Sequence, residues 1–471
     1  MTNEIDFSAF SPTDYRYAVE DLRAYLSDEA YVRYKAKVEV ALAEVFVTRG
    51  LLKRALCDEI VTAAATLTAE EVDAEEQKTR HDIRALVNVL QRRVSAAARP
   101  FVHLGATSYD VVDTANALRY KDAVLTVIIP DMLALERTLI ELAWREKDTL
   151  QIGRTHGQHA EPITFGFALA QYVNRWGAQI LKTGDTAEDL VGKFSGAVGA
   201  YNATSVLVED PEAFETAVLA ELGMKPAAIS TQIVPPEPMA EFVHTVISSF
   251  SVLANFCDDM RHLQRSEISE VMERVAAEQV GSSTMPHKRN PIGFENVKSL
   301  WKKFMPQTIT MHLDQISEHQ RDLTNSASQR YIQELLVVFD YCVRRLTQIA
   351  ERLTVDREMM RENFTRAQET IIAEPLYILL SYYGHPDAHE YVRQLTFRAY
   401  NEQKTLKELI IGDPELLPYL KKFTDGQREK LFNPEKYTGI AAEKTKKIAR
   451  YWDEDLSSRF PEMWTLLALK A

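Results

Sequence analysis

Apolar residues recur with steps of three and four along most of the segment Met239–Val280, which contains neither glycine nor proline. This spacing places the apolar side chains on one face of a helix, so the segment predicts a long helix. A second segment without glycine or proline, Gln307–Glu374, predicts further long helices. Long apolar faces need partners of equal length, so the two segments together predict a helical bundle. The apolar positions of the first segment are Met239, Val243, Val246, Phe250, Leu253, Cys257 and Met260.

Helical patterns on either side of the bundle predict an all-α chain of three domains. Residues 1–110 form an N-terminal helical domain, in which a helix runs from Tyr31 to Thr48 and stops near Gly50. Residues 111–361 form the central long-helix bundle, with a kink at Pro130. Residues 362–471 form a C-terminal domain of shorter helices separated by Pro, Gly and Asp clusters.

Composition narrows the class of protein. A chain of 471 residues exceeds what one compact core holds, and only 17 of them are glycine, which favours helices. A net charge of −13 argues against nonspecific binding to nucleic acid. The N-terminus lacks a signal-peptide pattern, and no apolar run approaches ~18 residues, so we expect neither secretion nor membrane insertion. Three scattered cysteines indicate reduced thiols in a cytoplasmic protein: Cys57, Cys257 and Cys342.

A polar loop, Gly281–Pro291, interrupts the helical pattern and is called the signature loop below. Its sequence is GSSTMPHKRNP, and Pro286 and Pro291 prevent the preceding helix from continuing through it. The eleven residues resemble the signature of the fumarase/aspartase superfamily, whose members eliminate fumarate from succinyl-bearing substrates. The MPHKRNP form is most similar to that of the adenylosuccinate lyases, and the carboxymuconate cycloisomerases of the superfamily share it. The resemblance extends over residues 11–440.

Three further stretches resemble blocks of these enzymes. Thr79–Ala85 resembles an element of adenylosuccinate lyases, although polar residues in the first turn of a surface helix would look alike. His103–Ala115 resembles the superfamily block whose Thr-Ser pair holds a substrate carboxylate, and helix capping would explain its two aspartates. Gly153–Gly166 resembles the block whose histidine protonates the leaving group. The candidates from these blocks are Arg80, His81, Asp82, His103, Thr107, Ser108 and His156.

Three other stretches resemble elements with which adenylosuccinate lyases bind the nucleotide. Ser11–Tyr17 resembles a phosphate-contacting arm with Tyr15 in place of a glycine, and an ordinary terminal arm is the alternative. His319–Arg330 resembles the element that binds the phosphoryl end and base, with departures at Gln320, Thr324 and Ala327; a solvated helix face is the alternative. The third is the loop before the long helix. The candidates are Arg16, Tyr17, Gln232, Arg321, Ser326 and Arg330.

The resemblance implies a β-elimination, and the signature loop supplies its base. The reaction removes a weakly acidic carbon-bound proton and leaves extra negative charge on a carboxylate. Ser282 is implied as the base, with Ser283 as a substrate contact and the next candidate for the base. The alkoxide requires Lys288 and backbone N–H dipoles to lower the serine pKa in a closed, dry loop. Lys288 and Asn290 then stabilise the dianionic intermediate.

The departing nitrogen needs an acid, for which two histidines are candidates. His156 is preferred and His81 is the second candidate, while Glu295 is implied to orient a catalytic histidine. His156 and His159 are three residues apart, but no carboxylate or thiol completes a familiar set of metal ligands. We therefore expect neither a metal nor another cofactor.

The family resemblance also implies the substrates and the assembly. The substrates are adenylosuccinate and SAICAR, and four subunits form a homotetramer whose active sites combine blocks from three chains. Two alternatives remain open at this point. One is another superfamily enzyme, an argininosuccinate lyase or a carboxymuconate cycloisomerase. The other is a catalytically silent helical oligomer.

Overall fold

The computed structural model describes residues 10–274, 285 and 287–470. Helices dominate the described residues, which confirms the all-α prediction. The helices are α1 (Arg23–Leu26), α2 (Asp28–Thr48), α3 (Arg54–Thr66), α4 (Ala69–Thr79), α5 (Asp82–Arg93), α6 (Ser108–Ala123), α7 (Ile129–Arg145), α8 (Phe165–Glu188), α9 (Pro211–Ala220), α10 (Glu237–Leu263), α11 (Ile292–Phe304), α12 (Gln307–Asp314), α13 (Ile332–Glu351), α14 (Arg357–Ile371), α15 (Ala373–Tyr382), α16 (Ala388–Glu402), α17 (Leu406–Gly412), α18 (Leu417–Leu420), α19 (Asp425–Phe432), α20 (Ala441–Arg459) and α21 (Pro461–Lys470).

Six short strands form three two-stranded sheets within the described residues. The largest is an antiparallel hairpin with Leu150 paired to Thr164 and a bulge after Ile152. The strands are β1 (Leu150–Thr155), β2 (Gln158–Thr164), β3 (Val191–Gly192), β4 (Lys225–Pro226), β5 (Val271–Met272) and β6 (Thr354–Val355).

The predicted helix at 31–48 is confirmed, and its ends follow from local chemistry. Helix α2 begins after Ser27, whose hydroxyl accepts a hydrogen bond from the Ala30 N–H. It ends at Thr48, and Gly50 then takes a φ of 72° that a glycine adopts without steric cost. At the predicted kink, one π-helical turn at Val124–Ile128 precedes Pro130, which cannot donate a backbone hydrogen bond.

The prediction of one helix along 239–280 is wrong, because α10 ends at Leu263. The apolar period stops at Arg261, and the following residues are too polar to extend the buried face. Ser269 then adopts a left-handed φ of 54°. The second predicted segment, 307–374, is likewise divided among α12, α13 and α14.

The chain forms two compact units, each assembled from separate segments. Unit 1 comprises residues 1–133, 178–253 and 299–344. In unit 1, α2 packs against α3, α6 and α9, and Phe214 lies between Phe46 and Phe194 with ring centroids 5.5 and 5.9 Å away. This aromatic cluster fixes the helices on which the site described below is built.

Unit 2 comprises residues 134–177, 254–298 and 345–471. The hairpin of β1 and β2 packs on α14, where Ile152, Phe364 and Ile371 share one buried cluster. A second apolar cluster joins the short helices from α15 to α19.

One described helix, α10, has the length and composition of a membrane span, with mean hydropathy 1.2 over an 18-residue window. Of that window 67% is buried inside the protein, as expected for a core helix.

Two glycines of α8 provide a matched test of its packing. A methyl group added at Gly177 would overlap the Trp452 ring, whereas one at Gly184 would lie 3.9 Å from Ile129 Cδ1. We expect Gly177→Ala to lower the free energy of unfolding by roughly 1–3 kcal/mol through overpacking. Gly184→Ala should raise it by about 0.5–1 kcal/mol, because alanine loses less backbone entropy in a helix. Urea unfolding followed by circular dichroism measures both, and equal effects of the two variants would contradict this packing.

Candidate active site

A cleft of about 450 Å³ opens on unit 1, and we call it the unit-1 cleft. It is lined by residues from α2, α4–α6, the loop before α10 and the segment before α13. Seven of the residues predicted from sequence line it, although they come from four separate stretches of the chain. They are Arg80, His81, Asp82, Ser108, Gln232, Ser326 and Arg330.

The junction between α4 and α5 directs His81 toward the next helix. Arg80 ends α4 in a left-handed conformation with a φ of 54°, and His81 is the N-cap of α5. The His81 Nδ1 accepts a hydrogen bond from the Arg84 N–H over 3.3 Å, so a neutral ring carries its proton on Nε2. Nε2 lies 3.4 Å from the Ser108 hydroxyl oxygen. The ring can therefore hold or pass a proton at the cleft surface.

A buried ion pair lies beside His81. The Lys35 ammonium, on α2, is 2.8 Å from the Asp82 carboxylate, and the Lys35 side chain is 8% exposed. Burial opposes ionisation of Asp82, but the Lys35 charge outweighs it and holds the Asp82 pKa below its usual value. Burial in turn lowers the pKa of Lys35 against the attraction of Asp82. Asp82 thus ties the α5 terminus to α2.

Ser108 is placed by a buried carboxylate at the start of α6. The Thr107 N–H donates a 2.8 Å hydrogen bond to Asp110, which is fully buried and also pairs with the Lys193 ammonium. The two other candidates of this block, Thr107 and His103, do not line the cleft. The position of His103 is set by Glu39. Its Nδ1 is 2.6 Å from Glu39, which outweighs the effect of burial and raises the His103 pKa. His103 therefore links α2 to the turn before α6.

Gln232 reaches the cleft from a loop that a second aspartate holds. The Val234 N–H donates a 3.0 Å hydrogen bond to Asp113. Burial raises the pKa of Asp113 to about 6, so this carboxyl titrates well above an exposed aspartic acid. The loop is thereby fixed two residues from Gln232.

The three candidates in the segment before α13 lie in two different places. Ser326 and Arg330 line the cleft, and Arg330 forms no ion pair with another described residue. Arg321 instead lies against Tyr109, with its guanidinium carbon 3.7 Å from the ring centroid and a hydrogen bond to the Tyr109 hydroxyl. Tyr109 itself lines the cleft, so Arg321 holds one residue of the cleft wall in position.

The N-terminal candidates lie outside the lining of the unit-1 cleft. Arg16 is exposed, and its backbone N–H donates to the Pro12 carbonyl over 2.9 Å. Tyr17 packs edge-on against Tyr341 with ring centroids 5.2 Å apart.

His156, in unit 2, lies at the exposed tip of the hairpin formed by β1 and β2. His156 and Gly157 have φ values of 53° and 73°, the pattern of a two-residue turn that suits a twisted hairpin. The sequence indicated a polar turn here but not its strands. The pattern predicts Gly153 as one boundary of the turn, whereas it lies within β1 at the bulge. A methyl group on Gly153 would be 2.6 Å from the Glu161 carbonyl oxygen.

A buried glutamate anchors this hairpin to the rest of unit 2. The Arg154 guanidinium binds Glu270 through both oxygens, at 2.6 and 3.2 Å. Gln151 and Asn363 donate to the same carboxylate at 2.8 and 2.9 Å. Because Glu270 is fully buried, the exposed tip extends from a rigid base.

The signature loop is described only in part. Ser282 and Ser283 lie outside the described residues. Lys288 is exposed, and Asn290 is partly exposed just before α11. Glu295, in the first turn of α11, is exposed as well. Glu273 accepts hydrogen bonds from the Gly293 N–H at 3.0 and 2.9 Å, which fixes the helix that follows the loop.

Three buried cations were missed from the sequence: Lys35, Arg119 and Lys193. The first two lie on helices that carry both apolar and polar residues, where a cation is usually a solvated side chain. The signal was available only for Arg119, eleven residues after Ser108 and on the same helix face. His156 and His159 could also be considered as metal ligands. Among the described residues, no group of three or more potential metal ligands occurs.

Comparisons with known proteins identify the family. A family model described as lyase matches residues 7–305, and a model of the adenylosuccinate lyase C-terminal region matches residues 317–433. The chain is 37% identical to adenylosuccinate lyase of Pyrococcus abyssi, over 95% of this chain and 98% of that one. It is 33% identical to adenylosuccinate lyase of Archaeoglobus fulgidus, over 94% and 99% respectively.

A solved structure shares the fold. The 3-carboxy-cis,cis-muconate lactonizing enzyme from Pseudomonas putida superposes with a TM-score of 0.80 and 25% identity, over 94% of this chain and 99% of that one. The fold alone therefore does not distinguish elimination from lactonization.

The ion pair of Lys35 and Asp82 can be tested by stability. Lys35→Met leaves a largely buried carboxylate unpaired, and we expect a loss of roughly 3 kcal/mol at pH 8. Since the Asp82 pKa is depressed in the folded state, the pair stabilises above the unfolded aspartate pKa, and that stabilisation is lost as the pH falls through the folded value. The deficit should therefore persist from pH 8 to about pH 4 and shrink as the pH falls further, as urea midpoints from pH 8 to about pH 3 would report. Lys37→Met, at an exposed position of the same helix, should cost less than ~0.5 kcal/mol. A deficit independent of pH would contradict the assignment.

Proposed function

The chain belongs to the adenylosuccinate lyase family, and we propose that it eliminates fumarate from adenylosuccinate to give AMP, and from SAICAR to give AICAR, in purine biosynthesis. The observation that carries this proposal is the unit-1 cleft, to which four distant stretches bring seven residues predicted for a succinyl nucleotide. The cleft offers cations for phosphate and carboxylate, a hydroxyl at Ser108 and an amide at Gln232.

The proposed reaction begins with removal of a carbon-bound proton. Ser282, as alkoxide, takes the proton from the carbon adjacent to the one bearing nitrogen, and the electron pair moves onto the neighbouring carboxylate. Lys288 and Asn290 donate to this dianion, and Thr107 and Ser108 hold the other carboxylate. As the carbon–nitrogen bond breaks, fumarate forms and the nitrogen takes a proton from His156.

The position of His156 supports its role as the acid. An exposed hairpin tip on a rigid base can enter a site that another subunit presents, because the Glu270 contacts fix its direction. His81 is the alternative acid, since its Nε2 faces Ser108 inside the cleft. Glu295 is proposed to orient the catalytic histidine of a neighbouring subunit.

We propose a homotetramer whose active sites combine the His103–Asp113, Arg154–Gln158 and Gly281–Pro291 blocks of three chains. Support comes from an exposed apolar surface around α12, where residues recur with steps of four and three. Such a surface suits a helix that packs against another subunit. Its members and their exposed fractions are Met305 (42%), Ile309 (62%), Leu313 (65%) and Ile316 (76%).

We propose a cytoplasmic location for this assembly. The three cysteines are buried and none of them forms a disulfide, as expected for thiols of a reducing compartment.

Turnover is the direct test. Purified protein with adenylosuccinate should release AMP and fumarate, followed by ultraviolet absorbance, and SAICAR should release AICAR and fumarate. Argininosuccinate and 3-carboxymuconate are the matched controls, and we expect at least 100-fold lower kcat/KM with either, because the cleft pairs a succinyl site with nucleotide contacts. Preferential turnover of carboxymuconate would favour the cycloisomerase alternative, and a folded oligomer without turnover would favour the structural one.

Shared sites predict complementation between inactive variants. His156→Ala and Ser282→Ala should each lose most of kcat, yet mixed tetramers should regain activity at about a quarter of their sites, where an intact hairpin meets an intact loop. Ser282→Ala mixed with Lys288→Ala is the control, because both changes affect the same loop and no site is intact. Light scattering should give about four times the 53.6 kDa chain mass. A fully active monomer, or verified mixed tetramers without activity, would refute the shared site.

A further inference from the structure

Arg119 is a buried cation of the unit-1 cleft with one unused hydrogen-bonding group. Its side chain is on α6, is 2% exposed as a residue, and contributes to the cleft lining. Its Nε donates to the Asn116 side chain at 3.0 Å, and its Nη2 donates to Tyr120 at 3.0 Å and Gln333 at 2.7 Å. Nη1 is buried and has no hydrogen-bond partner among the residues that the structure describes. A buried charged donor without a partner costs free energy. Because three partners hold the guanidinium in this orientation, we expect a ligand to bind Nη1.

The guanidinium is held in one orientation by the residues around it. Its carbon lies 4.3 Å from the centroid of the Tyr31 ring, which Lys35 also approaches at 4.0 Å. Burial raises the pKa of Tyr31, which therefore stays a neutral phenol and adds no competing anion. With three contacts and a stacked ring, the direction of Nη1 is fixed before any ligand arrives.

The position of Arg119 along α6 indicates which part of a ligand it meets. Ser108 and Arg119 line the same cleft and are eleven residues apart, which corresponds to about 16 Å along the helix axis. Ser108 marks the end proposed for a substrate carboxylate. An extended succinyl nucleotide bound there places its phosphate toward the opposite end, where Arg119 lies.

The contacts of Gln333 lead to the same end of the cleft. Gln333 accepts from Arg119 and is three residues after Arg330, whose side chain also lines the cleft. Ser326 precedes Arg330 in the same segment. Arg119 is therefore tethered to the segment that supplies the other phosphate candidates.

From this geometry we propose that Arg119 binds the phosphate of the substrate through Nη1, as a contact additional to Ser326 and Arg330. The inference rests on the proposed function and names a further binding residue of that site. A planar guanidinium can donate two N–H bonds from Nη1 to phosphate oxygens, and the buried surroundings strengthen the pairing. Arg119 would select phosphorylated substrates over nucleosides without touching the reacting atoms.

Titration calorimetry with AMP and with adenosine tests this assignment independently of turnover. Arg119→Met should weaken AMP binding at least 10-fold and change adenosine binding less than 3-fold, because only AMP carries the phosphate. In turnover the variant should raise KM for adenylosuccinate by a similar factor, with kcat within about 3-fold of wild type. Arg119→Lys keeps the charge but not the fork, and should show an intermediate loss of AMP affinity.

Lys121→Met is the matched control. It removes a cation two residues further along α6 that pairs with Glu188 and does not line the cleft, and it should leave the AMP-to-adenosine ratio unchanged. Circular dichroism verifies that each variant is folded. If Arg119→Met does not fold, Arg119→Lys is used for the test instead. An unchanged AMP-to-adenosine ratio in Arg119→Met and Arg119→Lys, or an equal loss for both ligands, would overturn the proposal. Wild-type protein that binds AMP but does not turn over adenylosuccinate would instead overturn the proposed function.

Discussion

The unit-1 cleft depends on the ion pair and the hydrogen bonds that the buried carboxylate of Asp110 forms. One oxygen pairs with the Lys193 ammonium. The same oxygen accepts from the Ser195 N–H and the Gly196 N–H, both at 3.2 Å, and the other oxygen accepts from the Thr107 N–H at 2.8 Å. A fully buried charge requires partners on every side, so it permits one arrangement of the α6 terminus. Ser108 owes its place on the cleft wall to that constraint.

Unit 2 uses the same principle around Glu270, which joins strand β1 of the hairpin to α14. In each unit a buried carboxylate with four donors lies beneath a more exposed residue for which we propose a chemical role, Ser108 or His156. The buried groups give orientation at the cost of desolvation, and the exposed groups remain available to substrate or to another subunit. This division explains why the polar blocks contain more acids than the chemistry needs.

The cleft also shows why charged residues with similar sequence signals differ in role. Asp82 was predicted as a substrate contact, but one of its oxygens is occupied by Lys35. His103, from a block of the same kind, is bound to Glu39 outside the cleft lining. Arg119, which no motif marked, lines the cleft and has a buried Nη1 without a hydrogen-bond partner among the described residues. Hydrogen-bond partners from distant helices, and not the local motif, separate these cases.

The sequence by itself determined the helical class, the end of α2 at Thr48, and seven of the 17 residues that line the cleft. These depend on apolar spacing, caps and short motifs, which act over a few residues. Only the tertiary structure decided that a hairpin presents His156 and that Lys35 and Arg119 are buried. Those outcomes depend on contacts between residues far apart in the chain, such as Arg154 with Glu270 and Arg119 with Gln333. Local pattern cannot encode which buried charge finds which partner, because pairing is settled by the packing of whole helices.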